Sequence, residues 1–323
     1  MHYFYAIQKK SLISTLLTVF LLGFMSSVAA QDFAQCQSQL YAAIAPKIEN
    51  SALKRASFPL CFNGFAVMYS GVSRTPLWSA EYLTPQRLKQ ARGLSRKNDF
   101  HEESRIPARY RSYLSDYSRS GYDRGHMAPN GDMANRQQQH DSFSLANMVP
   151  QSPKNNQEVW RNLEEATRAL VTKQQQSAYV ITGPAFLRGE LKQVGQVLVP
   201  THVYKVVYFP KLNLASAYFA PNNESGEVDV VSVQELEQSI GINLLPTVSS
   251  RIKAKRIMLP LNAAQAAKSV QSWAGSNSSK ATRPEADDSQ TLDPVDSTGS
   301  QGSVAERIKQ QLIDFLMNLL RGK

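Results

Sequence analysis

Residues 120–134, SGYDRGHMAPNGDMA, put His126 directly after Asp123, Arg124 and Gly125 in a stretch with almost no core-forming side chains. An unperturbed imidazole titrates near about 6.5, so His126 would be a neutral base at physiological pH. Farther on, NMVPQSPKNNQEVWRNLEEATRAL (147–170) carries Pro150 and Pro153 ahead of a helical pattern. Prolines there break the preceding chain and set a helix start, with Asn155 or Asn156 in the first turn. At about 100° per residue, Asn156 and Glu164 lie roughly 80° apart around the axis, and Glu164 and Arg168 roughly 40°. An amide, a carboxylate and a guanidinium then share one helix face. Together with an imidazole, they suit water attack on a phosphodiester, where a base takes the water's proton and positive charge stabilises the transition state and the departing oxygen. A hard cation such as Mg²⁺ prefers oxygen ligands and keeps most of its water. The Asn156 carbonyl could bind it directly, Glu164 could hold its waters, and Arg124, Arg168 and an upstream arginine could grip phosphate oxygens.

Taken singly, each residue has a plainer reading. A histidine in a turn is most often structural, and a polar helix face is most often simply wet. For His101, His140 and His202 that reading is preferred, and Tyr122 and Trp160 read as packing residues. For His126 the case rests on two segments in order.

The elements that must position this set are of mixed type. FAVMYSG (65–71), YVITG (179–183), VPTHVYKVVYF (199–209) and LASAYFA (214–220) are aromatic and β-branched runs stopped by Gly, Pro or Asn, as strands are. Helices are predicted over 37–45, 84–91, 154–175 and 232–240. These fall within one domain, residues 31–275. Beyond it, residues 276–303 are rich in Ser, Asp, Thr and Pro and read as a linker. Residues 304–323 place Val304, Ile308, Leu312, Phe315, Leu316 and Leu319 at helical spacing. This amphipathic helix could dock on its own domain, pair two copies as a homodimer, or lie on a membrane surface.

At the other end, Lys9 and Lys10 precede an apolar run from Leu12 to Phe24, followed by Val28-Ala29-Ala30. Residues 1–30 therefore read as a signal peptide, with an uncleaved anchor as the alternative, and place the mature protein in a periplasm or outside the cell. The chain has two cysteines, Cys36 and Cys61. In an oxidising compartment they could close a disulfide, or they could remain two buried thiols. Neither arrangement supplies a zinc cluster or an evident nucleophilic cysteine.

The formal net charge is +10, and residues 31–275 hold 28 Lys and Arg against 19 Asp and Glu, so +9 of it lies in the folded part. A positive field draws in polyanions, whether nucleic acids or envelope polymers, and implies nothing about chemistry.

The run DRGH (123–126) followed by MAP, and then SLANMVPQSPKNNQEVWRNLEEATR, resembles the DNA/RNA non-specific endonucleases of the ββα-metal type. YSGVSRTPLWSAEYLT upstream, and YVITGP and VPTHVYKVVY downstream, look like that family too, so the likeness covers roughly residues 60–265. It implies an α+β fold of the ββα-metal (His-Me finger) kind, with a central antiparallel β-sheet flanked by helices. It implies His126 as general base, Asn156 as the one direct protein ligand of a Mg²⁺ ion (Mn²⁺ or another divalent cation substituting), and Glu164 as the acid that orders the ion's waters. Arg124, Arg168 and Arg96, the last in SRKNDF, match positions that contact phosphate. Asp123 is expected to organise the loop and its arginine, and Asn147 to buttress the site. The implied activity is hydrolysis of DNA and RNA with little sequence preference, giving 5′-phosphate ends. Self-protection inside the cell could rest on export and oxidation alone or on an inhibitor protein as a partner. The alternatives are an inactive polyanion-binding envelope protein and a phosphodiesterase acting on a substrate other than a polynucleotide.

Overall fold

A computed structural model describes residues 33–187 and 191–268. The expected signal peptide, linker and C-terminal helix lie outside the described residues. The strands are β1 (Ser57–Cys61), β2 (Ala66–Ser70), β3 (Thr75–Leu83), β4 (Asp123–His126), β5 (Met148–Gln151), β6 (Ala178–Ala185), β7 (His202–Phe209), β8 (Leu214–Pro221) and β9 (Asp229–Val231). The main helices are α1 (Pro85–Ala91), α2 (Arg136–Ser142), α3, which opens at Asn155–Trp160 and continues through Arg161–Gln174, and α4 (Val233–Ile240).

Seven strands form one antiparallel sheet in the order β9-β8-β7-β6-β3-β2-β1. Successive side chains of a strand point to opposite faces, and β7 shows how this builds two cores. Tyr204, Val206 and Tyr208 join Trp78, Ala217, Val233 and Leu236 on the face covered by α4. Val203, Val207 and Phe209 join Leu163, Leu170 and Val171 of α3 on the other. On α3 the buried positions Leu163, Ala166, Thr167, Leu170 and Val171 recur every three or four residues, which leaves the opposite stripe for the site.

Asp123, Arg124 and His126 lie on a separate two-stranded ribbon, β4 with β5, in which Asp123 pairs with Gln151 and His126 with Met148. The chain leaves this ribbon through Pro153 directly into α3, giving the β-β-α succession.

The helices predicted at 84–91, 154–175 and 232–240 form close to their expected limits. At α1, Thr84 accepts from the Arg87 N–H with Pro85 in the first turn; at α4, Ser232 and Glu235 make a reciprocal cap and Gly241 closes the end at φ 69°. The helix predicted at 37–45 does not form. This segment makes two short 3₁₀ turns, Ala34–Gln39 and Tyr41–Ala43, with Leu40 extended between them. It is laid along the sheet by burying Phe33, Cys36 and Leu40 rather than by helical propensity. The strand predicted to begin at 199 begins at His202, beyond Pro200, which has no N–H to give a ladder. Among the described residues no helix is long and apolar enough to cross a membrane.

Cys36 and Cys61 are joined in a disulfide with a sequence separation of 25, and this fastens the N-terminal arm to the edge strand β1. Closing a loop of that length contributes about 3 kcal/mol by restricting the unfolded chain. Reduction, or the pair Cys36→Ser and Cys61→Ser, is therefore expected to lower the thermal midpoint by several degrees, read by circular dichroism with and without dithiothreitol, while far-ultraviolet signal at room temperature is retained.

Candidate active site

Arg96, Phe100, Asp123, Arg124, His126, Asn156, Gln157, Arg161, Glu164, Glu165 and Arg168, with Pro129, Asn130 and Gly131, surround an open cleft of about 570 Å³. Every residue expected to act on phosphate or cation thus lines the same cavity. Asn147 lies beneath it, fully buried. Its Oδ1 accepts from the Ala128 N–H at 2.9 Å and the Ser79 hydroxyl at 2.9 Å, while its Nδ2 donates to the Ala128 and Ser142 carbonyls at 2.9 and 3.0 Å. Two of these bonds go to the turn after His126, one to β3 and one to the end of α2, so Asn147 holds the histidine's segment and is not among the residues lining the cavity.

Asp123 does something other than expected. Its Oδ2 accepts from Asn156 Nδ2 and from Gln157 Nε2, both at 2.8 Å, and it makes no such bond to Arg124. Only the NH₂ end of an amide can donate to a carboxylate, so this bond fixes which way Asn156 points and leaves its carbonyl oxygen without a protein partner. Arg124 is held instead over the face of Phe100, at 4.2 Å from the ring centre. Phe100 also lies 5.8 Å from the His126 ring, and Phe143 packs edge-on to that ring at 5.0 Å. Arg96 lines the cleft with Nε bonded to Asn98 Oδ1 at 2.7 Å and its guanidinium 5.2 Å from the Phe143 ring.

His126 is buried, and its Nε2 has no hydrogen-bond partner. Burial first, then the positive charges of Arg96 and Arg124, hold its pKa down to about 3. Glu164 is shifted the opposite way. Burial first raises it to about 7, against Lys205, Arg168 and Arg96, which favour its charge, and with Asp132, which does not. Behind it lies a set of interior ions. Glu81 meets Arg87 at 3.2 Å, Asp132 meets Arg168 at 3.0 Å, and Lys205 donates to Thr182 Oγ1 at 2.8 Å beneath the Trp160 ring. Glu81 is raised by burial to about 8.

The opening of α3 is wound as a π-helix over Asn155–Trp160, a wider turn than the α-helix and one often found at functional sites. The angle of roughly 80° between Asn156 and Glu164, which holds for an unbroken α-helix, does not carry across it.

The family profile described as DNA/RNA non-specific endonuclease matches residues 48–251. The chain belongs to that family. The chain is 37% identical over 213 residues to the mitochondrial nuclease of Saccharomyces cerevisiae, covering 57% of this chain and 64% of that protein. It is 40% identical over 169 residues to nuclease C1 of Cunninghamella echinulata, covering 48% and 67%. It is 32% identical over 218 residues to human mitochondrial endonuclease G, covering 61% and 70%. The matched part thus spans about two thirds of these relatives' lengths. A solved structure of EndoG bound to EndoGI, titled as showing the mechanism of EndoG inhibition, aligns with TM-score 0.55 and 28% identity over 62% of this chain and 92% of that one. The α+β endonuclease fold, with its central antiparallel sheet flanked by helices, is as expected for the family.

Sequence reasoning missed Phe100, Gln157, Arg161, Glu165, Asp132 and Lys205. The signal for three of them was present, since Gln157, Arg161 and Glu165 stand four apart on the stripe that also holds Glu164 and Arg168. Nothing local marks Lys205, which reads as the polar residue of a strand. His101 and His140 stack on each other at 4.3 Å and His202 on Phe219 at 4.6 Å, all away from the cleft. Trp160 is buried.

Gly125 has the fully buried Gln151 side chain where a Cβ would sit. Gly125→Ala is expected to push the ribbon apart, with loss of about 1–3 kcal/mol as for other overpacked sites, measured as a lowered urea midpoint at unchanged slope.

Proposed function

We propose that this protein is an exported, divalent-cation-dependent endonuclease that hydrolyses DNA and RNA with little sequence preference and leaves 5′-phosphate ends. The single observation that carries this reading is the Asp123–Asn156 bond, which leaves one amide oxygen unpartnered on a residue lining the cavity that also holds His126, Glu164 and four arginines. The residues fit a hard cation. Among the described residues no three His, Cys, Asp or Glu cluster as a self-sufficient metal cage, so an ion here would rest on the Asn156 oxygen and on water, which suits Mg²⁺ and admits Mn²⁺. When bound, such an ion supplies electrophilic charge to the scissile phosphate and the departing 3′ oxygen.

The chain's own residues do the rest. Arg96, Arg124 and Arg168 bind and orient the phosphate. His126, neutral because burial disfavours its charge, accepts a proton from the attacking water. A P–O bond forms to that water oxygen as the P–O3′ bond breaks in line with it. Glu164, near Arg168 and Lys205, hydrogen-bonds water on the side of the cleft facing Asn156. These contacts address the backbone and carry no base information, so both sugars and both strandedness classes are substrates.

Residues 1–30 as an export signal and the Cys36–Cys61 disulfide both support a periplasmic or extracellular site of action, although the relatives named above include mitochondrial enzymes. The EndoGI complex of its structural neighbour supports an inhibitor protein as a partner of this chain as well. A homodimer or a membrane contact through residues 304–323 stays part of the same proposal.

The deciding experiment incubates the full chain and His126→Ala with closed circular plasmid and with RNA. The wild type is expected to degrade both with Mg²⁺, EDTA to stop it, and His126→Ala to lose at least about 100-fold in rate, the scale of a lost general base. Protein that retards DNA on a gel but never nicks it with Mg²⁺ or Mn²⁺ would overturn the reading.

A second expectation concerns pH. With Glu164 raised to about 7 and His126 held near 3, the group that gains a proton as pH falls through 7 is the carboxyl. A cation favours its ionised form, so affinity for Mg²⁺ rises with pH across that window. The acid limb of kcat/KM should therefore sit near pH 7 at subsaturating Mg²⁺, move to lower pH as Mg²⁺ is raised, and lose this dependence in Glu164→Gln. A limb indifferent to Mg²⁺ would assign the titration elsewhere.

A further inference from the structure

Four arginines line the cleft, and three of them are held by the protein. Arg168 bonds to Asp132 at 3.0 Å, Arg124 lies on Phe100 at 4.2 Å, and Arg96 bonds to Asn98 at 2.7 Å. The fourth, Arg161, is exposed, and among the described residues its guanidinium makes no hydrogen bond or ion pair. Glu165 stands one turn away on the same stripe, where an Arg and a Glu four apart commonly pair, yet no ion pair forms between them.

Arg161 is not needed for the fold. Its α-carbon is seven residues from that of Arg168, roughly 10 Å along the helix axis and about three nucleotide rises of one strand. Arg168 is held on Asp132, so of the two guanidiniums that of Arg161 is the one with no protein partner among the described residues to give up for a neighbouring phosphate.

Resting on the nuclease reading above, we infer that Arg161 is a binding residue for a backbone phosphate flanking the scissile one, extending the site along α3 so that it selects polymeric over monomeric phosphodiesters. A contact of this kind adds affinity without base preference and adds one released counterion.

The test is equilibrium binding of a fluorescein-labelled DNA duplex of about 20 base pairs in EDTA, followed by anisotropy from about 50 to 200 mM NaCl, a range over which phosphate contacts are salt-sensitive. Arg161→Ala is compared with wild type and with Arg251→Ala, which removes an exposed arginine beside the opposite core. The slope of log K against log salt is expected to become shallower by about 0.9 in Arg161→Ala alone, with roughly fivefold weaker binding at the upper end. With Mg²⁺ present, the ratio of KM for plasmid to KM for bis(p-nitrophenyl) phosphate should rise by a similar factor. Equal slopes in wild type and Arg161→Ala, or an equal change in Arg251→Ala, would overturn the inference. Because the binding measurement needs no turnover, it judges Arg161 even if plasmid is never nicked, an outcome that would instead remove the nuclease reading.

Discussion

The site depends on one hydrogen bond between two elements, from Asn156 Nδ2 at the head of α3 to Asp123 Oδ2 at the start of β4. Without it, the amide of Asn156 could turn either end toward the cavity, and half of its orientations would offer a donor where an acceptor is needed. Gln157 donates to the same oxygen, so the carboxylate is saturated on that side by two amides. The ribbon and the helix are thereby joined at the point where the chemistry is held.

That junction is possible because α3 is fixed from behind. Its apolar stripe is clamped on β6, β7 and β8, so sliding the helix by one turn would expose Leu163, Leu170 or Val171, each worth about 2–5 kcal/mol if truncated in place. The π-wound opening at Asn155–Trp160 then decouples the two ends of the helix. The regular part obeys the packing of the sheet, while the first turns obey the ribbon. Buried Asn155 marks the boundary, with Oδ1 accepting from Gln151 at 2.6 Å and Nδ2 donating to the Pro221 carbonyl at 2.9 Å.

Much of this was legible in the sequence, and the residues themselves show why the rest was not. The helices with caps, Thr84-Pro85 at α1 and Ser232 with Glu235 at α4, declare their ends because the cap is a local interaction. The 37–45 segment lacks such a signal, and its course is set by the burial of Phe33, Cys36 and Leu40 against distant strands. Strand β3 crosses the middle of the sheet and contains Pro76, Ser79 and Glu81, which no strand pattern favours. Those polar side chains belong there because Ser79 serves Asn147, 68 residues away and outside any window of the sequence, and Glu81 serves Arg87, which the helix α1 carries back onto the strand. The same holds at the site: DRGH and the helix face are contiguous and readable, whereas Phe100, Asp132 and Lys205 reach it only through the tertiary fold.

Interior and cleft also divide the charge between them. Around the site Glu81 pairs with Arg87 and Asp132 with Arg168, while burial raises Glu81 to about 8 and Glu164 to about 7, so these acids do not oppose the neighbouring cations with full charge at neutral pH. Burying ions in such numbers is costly unless each has a partner of opposite sign; Arg87 and Arg168 have one, whereas Lys205 is held by the Thr182 hydroxyl. At the cleft surface the balance is different, because Arg96, Arg124 and Arg161 have no acid bonded to them. The positive charge of Arg96 and Arg124 lowers the pKa of His126 on top of the effect of burial. A base that is kept neutral by the same arginines that attract a polyanion gains basicity when the polyanion arrives and offsets them. In the proposed mechanism, binding and proton acceptance are then coupled through one set of charges, with the imidazole weakest as a base in the empty cleft and stronger when a phosphate backbone occupies it.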